Sequence, residues 1–548
     1  MYNHIVSLIP FVPAVIAVLI PIVSIFIRSR WLIATLQLVA TGSIFLFSIK
    51  ILLDVIDRGV VVYPFGGWPP PIGIVYTVDF INAIYGVIAT SIALITSIYC
   101  FWYFKVVDGP TWLSTLLLLL IAGVTGCIYT GDIFNFFVML EVLAISSYVL
   151  VAFFKKRRWA IEAAASYSFI GVLATTFFLF GVAYLYLSFG TLNMADIASK
   201  SNNIEARMLS TWSGVCRDGI CFGNIQLASA MALAFMLWAL TFEAGLFPNN
   251  YWLPSAYTEA PTPASAMFAG VVDKVGAYGI LRLFITIFSP YSSILLFKLW
   301  SIPFRDIILY MLSFLGFLTG LLGGLLMTIQ KDVKRFLSYS TISHIGLLFI
   351  VMAGLASNQN EDAIALTVAA LLFHSITHAF GESMLFIGLG TLATTARSRR
   401  IRDLYGYGRI YPGISIAIAI GSLSLLGVAP LAGFFSKYML FLSMINGGFI
   451  FYAISIIVIS GITAIGYFKL IYALFILKPS KIEKADISLP THLCLSMATI
   501  LVVLGILFIQ GTLYSFLISN AKIVSSVNGI KQYIKSVEDI AKFMGGIP

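Results

Sequence analysis

Of 548 residues, 60% are hydrophobic and only 10% charged, whereas soluble domains run at about 25% charged. That balance excludes a soluble globule, and apolar runs near the roughly 20 residues that cross a bilayer core recur along the whole chain. The net charge of +10 would suggest nucleic acid in a soluble protein. Here it sits in short loops, and no nucleic-acid recognition module accompanies it, so no nucleic-acid partner is expected.

The fold class expected is an all-α membrane protein of about 14 transmembrane helices. Spans are predicted at 5–27, 32–54, 79–104, 112–130, 132–154, 160–188, 226–247, 261–288, 306–329, 333–357, 362–394, 413–444, 450–477 and 489–519. The first run has no basic segment before it and no small-residue cleavage pattern after it, so it reads as a span rather than a signal peptide. A tail over 520–548 carries Ile530, Tyr533, Ile534, Val537, Ile540 and Phe543 at helical spacing. It is expected to lie on the membrane surface or on a partner.

Loop charge tests this map. The odd-numbered loops hold Arg28 and Arg30, then Lys105, Lys155 to Arg158, Lys331, Lys334 and Arg335, then Arg397 to Arg402, and Lys478, Lys481 and Lys484. The even loops at 357–362 and 445–448 have no basic residue, while 289–305, with Lys298 and Arg305, fits less well. Positive loops face the cytoplasm, so both termini are expected outside the cytoplasmic membrane of a prokaryote. Five cysteines are few. Cys100, Cys127 and Cys494 fall in apolar spans. Cys216 and Cys221, in the long 189–225 loop, could form a tight disulfide in an oxidising compartment or remain two free thiols.

The ionisable residues inside the spans carry the functional argument. Glu141, Glu243, Lys274, Glu382, Lys437 and Lys469 sit well within predicted spans. Each charge at the bilayer centre costs roughly 2.5–3.5 kcal/mol, on the order of 15–20 kcal/mol together. They must pair, lose their charge or face water. His344, His374 and His378 are also in spans. Single polar residues can merely bridge helices, but this many titratable ones point to an ion path. His374, His378 and Glu382 recur every four residues, so they stack on one helix face over about 12 Å. Two imidazoles and a carboxyl in line can pass protons near neutral pH. HSITH shares the two-histidine spacing of metal sites but lacks the adjacent glutamate of HExxH, so no metal or other cofactor is expected. Helix breakers adjoin the charges, in FEAGLFPNNYWLP after Glu243 and in LGVAPLAGFFSKY before Lys437. Interrupted helices in two halves of a transporter mark ion sites.

Several longer stretches resemble one family. GDIFNFFVMLEVLAISSYVL at 131–150 is similar to a fifth-helix signature with its buried glutamate, Glu141. GTLNMADIA at 190–198 is similar to a stretch of the Mrp-type branch. AGLFPNNYWLPSAYTEAPTPASAMFAGVVDKVGAYGILR at 244–282 resembles the seventh and eighth helices, with the eighth-helix lysine at Lys274. KDVKRFLSYSTISHIG at 331–346 and GVAPLAGFFSKY at 427–438 resemble the signatures that hold His344 and Lys437. The chain is thereby identified as a member of the antiporter-like subunits shared by Mrp-type cation/proton antiporters, complex I and membrane-bound hydrogenases.

The resemblance implies 14 helices in two inverted five-helix repeats, with broken helices 7 and 12. The divisions are then 1–111, 112–288, 289–480 and 481–548. It implies a subunit without catalytic chemistry or cofactor of its own, moving protons, with sodium as a second candidate, inside a larger membrane complex. Partners would be further antiporter-like or small Mrp-type membrane subunits and, in a redox-driven complex, iron–sulfur or hydrogenase-like peripheral subunits. A stand-alone Na+/H+ antiporter and a non-translocating structural module are the alternatives. The last arises because Glu243 and Glu382 stand where the family usually has lysines. With Glu243 negative, Lys274 is expected as the partner of Glu141.

Overall fold

The computed structural model describes residues 3–203, 225–478 and 485–545, with the backbone of 215–217 and 220–222. Among these residues the chain is helical almost throughout, with three two-stranded hairpins. Among the described residues twelve helices are long and apolar enough to cross a membrane: Ile5–Phe26, Arg30–Arg58, Phe80–Val106, Pro110–Tyr129, Ile133–Val151, Arg158–Phe189, Ile225–Ala244, Phe304–Thr328, Val333–Leu355, Glu361–Thr395, Ile450–Phe475 and Ser488–Ile509. A pair bent by 117°, Ile401–Ile410 with Pro412–Leu426, makes up to thirteen. The chain is an all-helical, multi-pass membrane protein.

The difference from 14 lies in two interrupted runs. The span expected at 261–288 consists of Thr262–Met267, a π-turn Phe268–Val272, the helix Asp273–Arg282 and a second π-turn Leu283–Ile287. The span expected at 413–444 is cut into Pro412–Leu426 and Ala432–Asn446. Gly427, at φ +94°, ends the first piece in a left-handed conformation that costs glycine nothing. Each piece has 15 residues, short of a bilayer crossing. Ile225–Ala244 likewise stops at Gly245, φ +73°, and helix resumes at Leu253–Glu259. The last expected span is also shorter than its apolar run. It ends at Ile509, and Gly511 turns the chain into a separate helix Thr512–Ser525.

Helix starts follow local chemistry. Asp79 accepts from the N–H groups of Ile81 and Asn82, Asp132 from Asn135, Asp332 from Lys334 and Arg335, and Asn360 from Ala363. These side chains satisfy donors that a helix leaves open at its N-terminus. Burial then sorts the helices. Val333–Leu355 and Glu361–Thr395 are 94% buried through their apolar windows, against 33% for Ile5–Phe26 and Ser488–Ile509. The two central helices are therefore where polar side chains can be shielded from lipid. The outer ones expose Phe26, Phe169 and Leu187, which suits hydrocarbon.

The basic loops converge at one end. Tyr103, Arg157, Glu259, Lys334 and Arg397, each from a different segment, line one cavity there. Arg30 Nη1 donates to the Lys105 carbonyl at 3.5 Å, and Trp102 Nε1 to the Asp486 carbonyl at 2.8 Å. A hairpin that no sequence signal marks, Val61–Pro64 with Val75–Val78, is covered by the tail helix Val527–Phe543. The tail thus buries Ile530, Tyr533, Ile534, Val537 and Ile540 on its own chain, not on lipid or a partner, and only Phe543 stays exposed. Cys100, Cys127 and Cys494 are buried free thiols. The side chains of Cys216 and Cys221 lie outside the described residues.

Candidate functional site

Four helices of the second half meet around one buried polar line: Val333–Ile350 with Ser340 and His344, Glu361–Thr395 with His374, His378 and Glu382, Ala432–Asn446 with Ser436 and Lys437, and Ile450–Phe475 with Tyr467. Ser436 Oγ lies 3.2 Å from His374 Nδ1, and His374 Nε2 lies 3.3 Å from His344 Nδ1. His344 Nε2 is 3.4 Å from the Tyr467 hydroxyl. That hydroxyl is 2.5 Å from Ser340 Oγ, which donates to Glu382 Oε1. All six side chains are buried. Each link joins groups that can give or take a proton, so the run Ser436–His374–His344–Tyr467–Ser340–Glu382 is a hydrogen-bonded wire.

The expected stack on one helix face is present but is not itself the wire. His374 and His378 are 6.1 Å apart by ring centroids, and His378 Nε2 is 3.9 Å from Glu382 Oε1, beyond hydrogen-bonding reach. His344, from the neighbouring helix, sits 5.4 Å from His374 and 4.9 Å from His378, and carries the connection. Among the described residues neither ring nitrogen of His378 has a hydrogen-bond partner, nor does Glu382 Oε2. Buried polar atoms of this kind usually find their hydrogen bonds in ordered water.

Lys437 uses the broken helix. Its Nζ donates at 3.2 Å to the carbonyl of Leu426, the last residue before Gly427. A helix C-terminus carries unpaired carbonyls and partial negative charge, so the break supplies a counter-site for a buried ammonium.

The first half is built differently. Lys274 pairs with Asp273, its chain neighbour, at 2.9 Å, and donates at 2.8 Å to the Ala269 carbonyl. Ala269 is in the π-turn Phe268–Val272, whose altered ladder leaves a carbonyl for this use. The expected partner Glu141 is half-buried and forms no ion pair among the described residues, because the nearer carboxylate of Asp273 satisfies the lysine. Glu243 is buried one residue before the end of Ile225–Ala244, and among the described residues neither its Oε1 nor Asp273 Oδ2 has a hydrogen-bond partner. A separate buried pair closes this half near the tail. Arg282 forks onto Asp79 at 2.7 and 2.8 Å and also reaches Asn82.

The two halves touch on the Glu361–Thr395 helix. Tyr85 OH lies 3.0 Å from Ser375 Oγ, and Ser383 Oγ donates at 2.9 Å to the Ala266 carbonyl. Gly270 of the π-turn lies so close to Ser383 that a Cβ there would run into its hydroxyl.

Glu243, Lys274, His344, His374, His378, Glu382 and Lys437 are therefore all buried. Lys469 is not among them. It is exposed, and its Nζ donates at 3.0 Å to the carbonyls of both Thr328 and Gln330, where it caps the end of Phe304–Thr328. Its position in the span is interior, but its helix face is not. Sequence reasoning missed Ser340, Ser436 and Tyr467, whose types are too common in membrane helices to stand out. It also missed Asp273, for which the adjacent Lys274 was a usable signal.

Comparison with known proteins places this architecture. A family model described as NADH:quinone oxidoreductase/Mrp antiporter, TM, matches residues 130–466. The chain is 30% identical over 451 residues to the D subunit of the Na(+)/H(+) antiporter of Alkalihalophilus pseudofirmus, covering 80% of this chain and 83% of that one. It is 31% identical over 453 residues to the N subunit of the NADH-quinone oxidoreductase of Desulforudis audaxviator, covering 81% and 80%. A chain of the membrane-bound sulfane sulfur reductase, an archaeal respiratory membrane complex, superposes with a TM-score of 0.83 at 28% identity, covering 98% of this chain and all of that one. This chain belongs to the NADH:quinone oxidoreductase/Mrp antiporter family of antiporter-like membrane subunits.

Proposed function

We propose that this chain is the ion-translocating subunit of a redox-driven membrane complex of the complex I or membrane-bound hydrogenase kind, and that the ion is the proton. The observation that carries the reading is the wire from Ser436 to Glu382. Imidazoles and hydroxyls in series relay a proton by exchanging hydrogen bonds, since each ring has one nitrogen that can take a proton and one that can give it. A metal cation, by contrast, wants several oxygens converging on one point. Likeness along the whole chain to a subunit of a respiratory complex supports the redox-driven setting. Identity to a subunit of a Na+/H+ antiporter favours a second reading, membership of a stand-alone antiporter. A third reading, a structural module, is opposed by the buried titratable groups that persist at both breaks.

In the proposed architecture the runs 262–287 and 412–446 are each one interrupted span, bringing the total to 14, and 112–288 and 289–480 are inverted repeats. The end bearing the basic loops faces the cytoplasm and both termini lie outside. The test is purification of the intact native complex with mass spectrometry of its subunits. Iron–sulfur and hydrogenase- or dehydrogenase-like partners are the expected result. Small membrane partners alone would overturn the redox-driven reading in favour of the antiporter.

A further inference from the structure

At the end where the basic loops converge, a cavity of about 620 Å³ is lined by five cationic side chains, Arg157, Arg158, Lys334, Arg397 and Arg399, against one carboxylate, Glu259. Glu162 pairs with Arg158 at 2.6 Å and Asp332 with Arg399 at 3.1 Å. With those two counted, two positive charges remain uncompensated. Asp332 and Glu259, the latter at 2.9 Å, both pair with Arg399, so Arg157, Lys334 and Arg397 are the lining cations that form no ion pair among the described residues, and of these Arg157 and Arg397 are exposed at the cavity. Arg157 rests its guanidinium over the Phe154 ring at 4.4 Å. Arg397 holds a left-handed conformation, φ +50°, at a helix end where glycine is the usual residue.

The helix Arg158–Phe189 makes the imbalance sharper. Its N-terminus opens at this cavity, with Arg157 at the cap and Arg158 in the first turn, no acidic residue in that turn, and no side chain capping its N–H groups. A helix N-terminus is already partially positive and favours anions. Arg158 is paired with Glu162, so Arg157 at the cap is the cation there without a carboxylate, and it adds to the helix end's preference for an anion. Lys334, buried at the cavity wall, donates at 2.6 Å to the Ala260 carbonyl and at 3.1 Å to Ser265 Oγ, which fixes its amine behind the pocket. Trp159, 70% exposed, stands at the rim, and tryptophan is the residue that settles at the headgroup level of a bilayer.

We propose that this cavity binds a phosphate-bearing anion, the headgroup of an acidic phospholipid or a free phosphate. Basic pockets between membrane helices recognise such headgroups through Arg and Lys, and forked guanidinium groups suit phosphate oxygens. The site is separate from the buried wire, and its occupancy does not depend on which ion the protein moves.

Trp159 provides a local reporter: the fluorescence lost in Trp159→Phe is the signal of the pocket. The intact complex is placed in nanodiscs of phosphatidylcholine and titrated with brominated phosphatidylglycerol or brominated phosphatidylcholine, which quench tryptophan on contact. Quenching by the acidic lipid at lower mole fraction is expected. Arg157→Gln with Arg397→Gln should weaken that preference roughly thirtyfold, about fivefold per basic residue near an anionic surface, while Arg157→Lys with Arg397→Lys retains it and confirms that charge, not folding, is read. Reversal of the quenching by inorganic phosphate identifies the bare anion as sufficient. Persistence in its presence identifies the lipid as the source. Equal quenching by the two lipids, or an unchanged preference in the double glutamine variant, overturns the proposal.

Discussion

The two halves of the molecule hold similar inventories of buried charge in different states of connection. In the second half Ser436, His374, His344, Tyr467, Ser340 and Glu382 are joined link by link. In the first half Asp273 and Lys274 close on each other, while Glu243 has a carboxylate oxygen with no hydrogen-bond partner among the described residues and Glu141 stands apart at half burial. Buried charge is thus made tolerable in two ways. One is neutralisation within an ion pair. The other is a network in which each group is both donor and acceptor. Only the second offers a continuous run of protein hydrogen bonds from one buried group to the next.

The largest effect expected from this contrast is at Glu382. Glu382→Gln keeps the shape but ends the wire in a group that cannot release a proton, and proton movement should fall by on the order of 100-fold. Glu243→Gln should also stop coupled movement if the first half feeds the second through water, by about tenfold or more. Full activity in that variant would confine the path to the second half. Asp273→Asn strikes stability rather than conduction. It strands the Lys274 ammonium in the core, which costs roughly 3–5 kcal/mol, and thermal unfolding of the complex should show it. Tyr467→Phe removes one hydroxyl between Ser340 and His344 and should slow transport about tenfold, the scale of one or two lost hydrogen bonds. Lys469→Gln is the smallest. With its side chain on exposed carbonyls, pumping should be unchanged and stability reduced by under about 1 kcal/mol; a pumping defect there would return Lys469 to the ion path.

Much of this was legible in the sequence because charge in a membrane is costly and therefore conspicuous. Glu243, Lys274, Glu382 and Lys437 were expected to be buried and are, and the breaks beside Gly245 and Gly427 fall where Gly and Pro cluster. What escaped is what a one-dimensional span cannot encode. Lys469 lies at an interior position, yet on a face turned away from the core. The links of the wire depend on which helices are neighbours, so Tyr467 and Ser340, 127 residues apart in the chain, gave no local sign. The tail helix carried the amphipathic stripe of a surface-seeking segment, but the hairpin at Val61–Pro64 and Val75–Val78 offered it an apolar seat on the same chain.

The most direct test of the wire is proton uptake by sealed vesicles containing the intact native complex under its own driving reaction, with Glu382→Gln compared against Lys469→Gln. Loss of uptake in Glu382→Gln with uptake preserved in Lys469→Gln is the predicted result. Undiminished uptake in Glu382→Gln, with the variant protein present and folded, would contradict it.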